Sequence, residues 1–173
     1  MLGQGYVQIY TGNGKGKSTA AVGLAVRCAG AGGKVFFVQF LKKGDSSEWL
    51  ALQHLKDRII HRAFGTGKFI HNEPSVEDRQ LARTGMAQAR QALSSGDYDL
   101  IVLDELLGLL AKELVGIDEI FDLLRLRPPH TELVLTGRNA PAELVEKADL
   151  VTEMCEIKHY YQQGLAARKG IEK

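Results

Sequence analysis

Apolar positions fall into short unbroken runs that alternate with segments of helical spacing. Tyr6–Tyr10 (YVQIY) reads as a strand, and Ser18–Ala29 behind it is rich in alanine and leucine, as a packed helix is. Gly30, Gly32 and Gly33 supply a stop, because glycine accepts the left-handed conformation at helix ends. Lys34–Leu41 reads as a buried strand, Glu48–Lys56 as a short helix and Arg58–Arg62 as a further strand. Ala63–Pro74 is irregular. Ser75, with Asp78 three residues on, predicts a capped helix to about Leu93, with Leu81, Ala82, Met86, Ala89 and Leu93 on one face.

Asp99–Leu103 is the next strand, and Ile117, Ile120, Phe121 and Leu124 mark an amphipathic helix that stops before Pro128 and Pro129. Glu132–Leu135, Ala142–Lys147 and Leu150–Met154 complete the alternation as strand, short helix and strand. Continuous apolar strands separated by helices predict a doubly wound α/β domain over residues 1–173, with a mostly parallel sheet covered on both faces. In such folds ligands bind at the carboxyl ends of the strands.

The first such end carries GNGKGKS, Gly12–Ser18. Gly16-Lys17-Ser18 fits the phosphate-loop pattern G-x-x-x-x-G-K-[ST], although Thr11 stands in the first position. Glycines let successive N–H groups face one anion, and the following helix adds its positive end. Lys17, read as an exposed loop cation, would meet a phosphate oxygen, and the Ser18 hydroxyl would sit on Mg²⁺. A nucleoside triphosphate is the expected ligand, held by Gly12, Asn13, Gly14, Lys15, Gly16, Lys17, Ser18 and Thr19.

Asp104 and Glu105 end a second apolar run and are placed to hold Mg²⁺ directly or through water. A helix N-terminus favouring acidic residues is the other reading. Thr136-Gly137-Arg138 opens on the same rim, where Arg138 can clamp a phosphate or remain a surface arginine. Lys158 and His159 carry no pattern that sets them apart.

Composition excludes more than it selects. The net charge of +1, with 45% hydrophobic and 25% charged residues, gives no bulk attraction to nucleic acid or membrane. Cys28 and Cys155 lie far apart without zinc spacing and are expected to be small buried hydrophobes in a reducing compartment. MLGQGYVQIY lacks the pattern of a secretory signal and no run approaches a membrane span, so a cytoplasmic, soluble protein is expected.

Five segments together resemble one family: TGNGKGKSTAAVGLAVR, VQFLKKG, YDLIVLDEL, LLRLRPPHTELVLTGRNAPAELVEKADLVTEM and KHYYQQGLAARKGIEK. They are similar to the corrinoid adenosyltransferases that act on cob(I)yrinic acid a,c-diamide and cob(I)alamin. The resemblance runs in order over nearly the whole chain, and its LTGRNAP and C-terminal segments are specific to that family.

The resemblance implies transfer of the 5′-deoxyadenosyl group of ATP to the Co(I) of a reduced corrinoid, with release of triphosphate. It implies triphosphate on Gly12–Thr19, Mg²⁺ on Ser18 and Glu105 with Asp104 close behind, and Lys17 and Arg138 as charge stabilisers. It further implies a homodimer and a reduced flavoprotein as electron donor. Family members place aromatic residues in the mid-chain loop against the corrin, and the matching stretch here is Gly65–His71. Lys68 and Ile70 stand where aromatics are expected, with Phe69 between them, and Arg168 replaces a commoner glutamine. Tyr6 follows closely on Met1, without the N-terminal arm of some members. Two other readings stay open: a small nucleoside triphosphatase or kinase, and a non-catalytic binder of nucleotide or corrinoid.

Overall fold

The computed structural model describes residues 3–70 and 73–172. Six strands form one sheet in the order β3-β2-β4-β5-β1-β6. They are β1 (Val7–Thr11), β2 (Val35–Phe40), β3 (Ile59–Phe64), β4 (Leu100–Asp104), β5 (Glu132–Thr136) and β6 (Leu150–Glu153). Every pairing is parallel, so all the strand carboxyl ends open on one rim. Six α-helices connect them: α1 (Lys17–Gly30), α2 (Ser47–Leu52), α3 (Val76–Ser95), α4 (Leu106–Ala111), α5 (Ile117–Leu126) and α6 (Ala142–Val145).

Alternation along the strands divides the core in two. Val35, Phe37, Leu100, Val102 and Val134 face α1, whose Ala21, Ala25 and Ala29 let it lie close, and α2, which contributes Trp49. Phe36, Val38, Phe40, Ile101, Leu103, Leu133 and Leu135 face α3, α4 and α5. The central strands β2, β4 and β5 are buried throughout. Coverage on both faces fails at the edge, where all four residues of β6 are exposed. The short α6 buries only Leu144 there.

The predicted Ser75 cap forms, whereas α1 runs through Gly30 to cap at Ala31, and of the three expected stop glycines only Gly32 is left-handed, with φ 90°. Ser75 Oγ accepts from the Asp78 N–H at 3.1 Å, and Asp78 Oδ2 accepts from the Ser75 N–H at 3.0 Å. Gly96 closes α3 in the left-handed region. Arg127, ahead of Pro128, is extended and ends α5. The expected helix Glu48–Lys56 is α2 followed by a 3₁₀ turn at Gln53–Leu55. The helix α4 is anticipated by the sequence only as the alternative reading of Asp104 and Glu105, and it does begin there, with Glu105 as its N-cap. It is apolar nearly all round, so it has no amphipathic stripe, and its N-cap residue Glu105 makes no side-chain cap. Cys155 is exposed and Cys28 only half-buried, so neither is the core residue expected from composition. Among the described residues no helix is long and apolar enough to cross a membrane.

Candidate functional site

The loop between β1 and α1 is shaped by backbone that only glycine adopts freely. Gly12 and Gly16 have φ of 95° and 123°. Gly14 is constrained by proximity instead. Its N–H donates to the Met154 carbonyl at 2.6 Å, and a Cβ there would lie 2.6 Å from that oxygen. Thr11, the unusual first position, is buried at the end of β1, and its Oγ1 accepts from the Ala140 N–H at 3.2 Å. The residue that departs from the motif thus joins the loop to the segment following β5.

Lys17 is not the exposed cation expected. It is 8% exposed, and its Nζ donates to the Gly12 and Gly14 carbonyls at 2.7 Å each. The reason is position: the first residue of α1 points back under the loop it closes. Burial lowers its pKa, opposed mainly by the charge of Glu105. Asn13, Lys15 and Thr19 are exposed at the loop's surface. Lys15 is turned toward the C-terminal segment, with Nζ 3.2 Å from Tyr160 Oη and 3.0 Å from Glu172 Oε1.

Asp104 is the hub of the rim. It is fully buried, and four donors converge on its carboxylate. Ser18 Oγ at 2.9 Å and Thr136 Oγ1 at 2.7 Å donate to Oδ1, while Lys42 Nζ at 2.9 Å and Gln39 Nε2 at 3.2 Å donate to Oδ2. Strand β5 lies between β1 and β4, so Thr136 at its tip bridges the two carboxyl ends. Glu105 stands beside the hub with φ 61°. Its pKa is raised, first by burial and then by the Asp104 charge.

Gln39, the one polar side chain of β2, is held from behind. Trp49 Nε1 donates to its Oε1 at 2.7 Å, and His61 Nε2 lies 3.1 Å from the same oxygen. An indole can only donate, so the amide oxygen faces Trp49 and the amide nitrogen faces Asp104. His61 must then carry its proton on Nε2. Burial, aided by the Arg62 charge, pushes its pKa down to about 4, and its ring stacks on Trp49 at 3.6 Å.

The predicted residues divide by location. Gly12–Thr19, Asp104, Glu105 and Arg138 share one end of the sheet. Arg138 is exposed just beyond β5, and its charge acts on both Lys17 and Glu105. Lys68, Phe69 and Ile70 follow the edge strand β3, whereas the donors to Asp104 come from Ser18, Gln39, Lys42 and Thr136. Phe69 is 89% exposed, and the Ile70 carbonyl accepts from Lys112 Nζ at 2.6 Å. His71 lies outside the described residues. Sequence reasoning missed Gln39, Lys42 and the hydroxyl of Thr136. Gln39 and Thr136 are conspicuous afterwards as single polar residues at or near the ends of the apolar runs VFFVQF and LVLT.

Oxygen donors here suit a hard cation that keeps other ligands. Among the described residues no three His, Cys, Asp or Glu side chains are grouped to hold a metal alone. Mg²⁺ is commonly bound by one or two carboxylates together with substrate phosphates, so the donor set fits it.

The fold is similar to that of the flagellar accessory protein FlaH from Methanocaldococcus jannaschii, a solved structure with TM-score 0.60 and 13% identity. The match covers 88% of this chain and 72% of that one. Sequence likeness is much closer elsewhere. The chain is 34% identical to a corrinoid adenosyltransferase of Pseudomonas aeruginosa, over 98% of its own length and 84% of the relative's. It is 32% identical to the corrinoid adenosyltransferase of Escherichia coli K12, over 98% and 86%. The family model for ATP:corrinoid adenosyltransferase BtuR/CobO/CobP matches residues 3–172. With its phosphate loop and buried carboxylate hub on one rim, the chain belongs to the ATP:corrinoid adenosyltransferase family BtuR/CobO/CobP and is an enzyme of the transferase class.

Proposed function

We propose that residues 1–173 act as one domain that transfers the 5′-deoxyadenosyl group of ATP to the Co(I) of a reduced corrinoid. The observation that carries this reading is the joining of the glycine loop to Asp104 through Ser18, in a chain with this family membership. In the reaction the Co(I) electron pair attacks ribose C5′, a Co–C bond forms, and the C5′–O bond breaks. Its electrons leave with triphosphate.

The nucleophile belongs to the substrate, so the protein's work is positioning and charge stabilisation. The amides of Gly12–Thr19 and the N-terminus of α1 hold the departing triphosphate. Lys17, drawn from the two carbonyls it now occupies, meets the negative charge that builds on the leaving oxygens, and Arg138 adds a second cation from the rim. Ser18 and Glu105 would hold Mg²⁺, with Asp104 fixing the Ser18 hydroxyl. When bound, Mg²⁺ supplies neutralisation of the triphosphate.

Lys68, Phe69 and Ile70 are assigned to the corrinoid side. The support for this is their place after the edge strand β3, four strand positions from β1 and its glycine loop. The same reading includes a cytoplasmic homodimer and a reduced flavoprotein as electron source. The test is incubation with ATP, Mg²⁺ and chemically reduced cob(I)alamin. Adenosylcobalamin and triphosphate in equal amounts are expected, and release of phosphate or diphosphate alone would overturn the assignment.

A further inference from the structure

Lys42 has no part in the functions so far assigned, yet it stands at the centre of the rim. Its Nζ donates to Ser18 Oγ at 2.9 Å and to Asp104 Oδ2 at 2.9 Å. The Ser18 hydroxyl spends its proton on Asp104, so Lys42 takes one of the oxygen's lone pairs. A cation held by Ser18 would use that oxygen's lone pairs too. Lys17 is different, because its ammonium rests on main-chain carbonyls within the loop.

The backbone puts Lys42 there deliberately. Leu41, just beyond β2, has φ 60°, a conformation that β-carbon-bearing residues seldom adopt. A Cβ on Gly65 would lie 2.2 Å from the Leu41 carbonyl carbon, so the chain from β3 presses closely on this turn. The bend follows the end of β2 and leaves the Lys42 side chain 36% exposed, beside a fully buried Asp104. Buried carboxylates require opposite charge or strong donors, and Ser18, Thr136 and Gln39 are all neutral.

We propose that Lys42 is the site's built-in cation: its ammonium and a divalent ion are alternative occupants of the position between Ser18 and Asp104. Without metal, Lys42 neutralises Asp104 and presents positive charge to the nucleotide phosphates. When a divalent ion binds with the nucleotide, Lys42 leaves Ser18 through its open side. The consequence is a nucleotide site that retains substantial affinity in the absence of metal. The inference rests on the reading of Gly12–Thr19 as a nucleotide site.

The test is calorimetric titration of ATP into the wild type, Lys42→Met, Lys42→Gln and Lys42→Arg, each in excess EDTA and in Mn²⁺. In EDTA, Lys42→Met and Lys42→Gln are expected to weaken ATP binding by about tenfold or more, the size of one lost charge-assisted contact. Lys42→Arg, which keeps the charge, should stay within about threefold. In Mn²⁺ the Met and Gln variants should recover to within about threefold of wild type, because the ion then supplies the missing charge. An equal loss in both conditions, or none in either, would overturn the proposal. Failure of the wild type to bind ATP in either condition would overturn the nucleotide reading itself. Circular dichroism confirms folding, and the Gln variant, which keeps a polar N–H donor, covers the case in which the Met variant does not fold.

Discussion

Thr136 Oγ1 donates to Asp104 Oδ1 at 2.7 Å while accepting from the Glu105 N–H at 2.9 Å, so one hydroxyl orders both acidic residues of the rim. Thr136 is fully buried. Thr136→Val keeps the shape and removes both bonds. It should destabilise the protein by about 1–3 kcal/mol, the cost of leaving buried polar groups unpaired. Thr136→Ser should restore most of that loss. Urea denaturation of the three proteins checks the order, and a Val variant as stable as wild type would show that Thr136 is not the support of the hub.

Lys17→Ala should separate binding from folding. The ammonium is buried beneath the loop, and its removal takes one donor from each of the Gly12 and Gly14 carbonyls. Stability should fall by about 1–3 kcal/mol, the cost of unpairing buried carbonyls, with the fold retained. ATP affinity should fall by more than about hundredfold, because the variant loses a charge-assisted contact to phosphate in a partly desolvated site. Full retention of affinity in a calorimetric titration would remove the basis for assigning this loop to triphosphate.

Gly85 lies in the middle of α3, where alanine is ordinarily better by about 1 kcal/mol. Here the sign reverses. A Cβ would sit 2.5 Å from Phe40 Cε1 and 2.9 Å from Phe64 Cδ2. Phe40 is fully buried and has nowhere to move. Overpacking costs about 1–3 kcal/mol, so Gly85→Ala should lower stability despite its better helix propensity. A thermal midpoint above that of wild type would show that the rings give way.

These sites illustrate which parts of the architecture a sequence makes legible. Strand positions follow from apolar runs because a parallel sheet buries both faces, and the Ser75–Asp78 cap follows from local hydrogen-bonding chemistry. The glycine loop is equally local, since its backbone angles demand particular residues. The hub around Asp104 is not local. Its partners come from three separate places in the chain, Ser18 in the glycine loop, Gln39 and Lys42 at the end of β2, and Thr136 at the end of β5, and only the strand order brings them together. Burial of Lys17 and exposure of Cys155 fail for the same reason: each depends on what the fold places alongside. The extent of α4 is not legible because uniform apolarity carries no period to read.

His61 offers a pH test of the chain of contacts behind Asp104. Its pKa is pushed down from 6.5 to about 4 in the folded protein, chiefly by burial. Between those values the unfolded chain takes up a proton that the native state refuses. The resulting stability is therefore fully present above about pH 6.5 and is lost as pH falls toward 4, by about 2 kcal/mol for a partly exposed ring. His61→Gln can still donate to Gln39 Oε1 but does not titrate. Its urea midpoint should fall less steeply than that of wild type between pH 7 and pH 4.5, with the curves diverging below pH 6.5. Parallel curves would mean that His61 ionises normally in the fold, and that Gln39 is not held by a neutral imidazole.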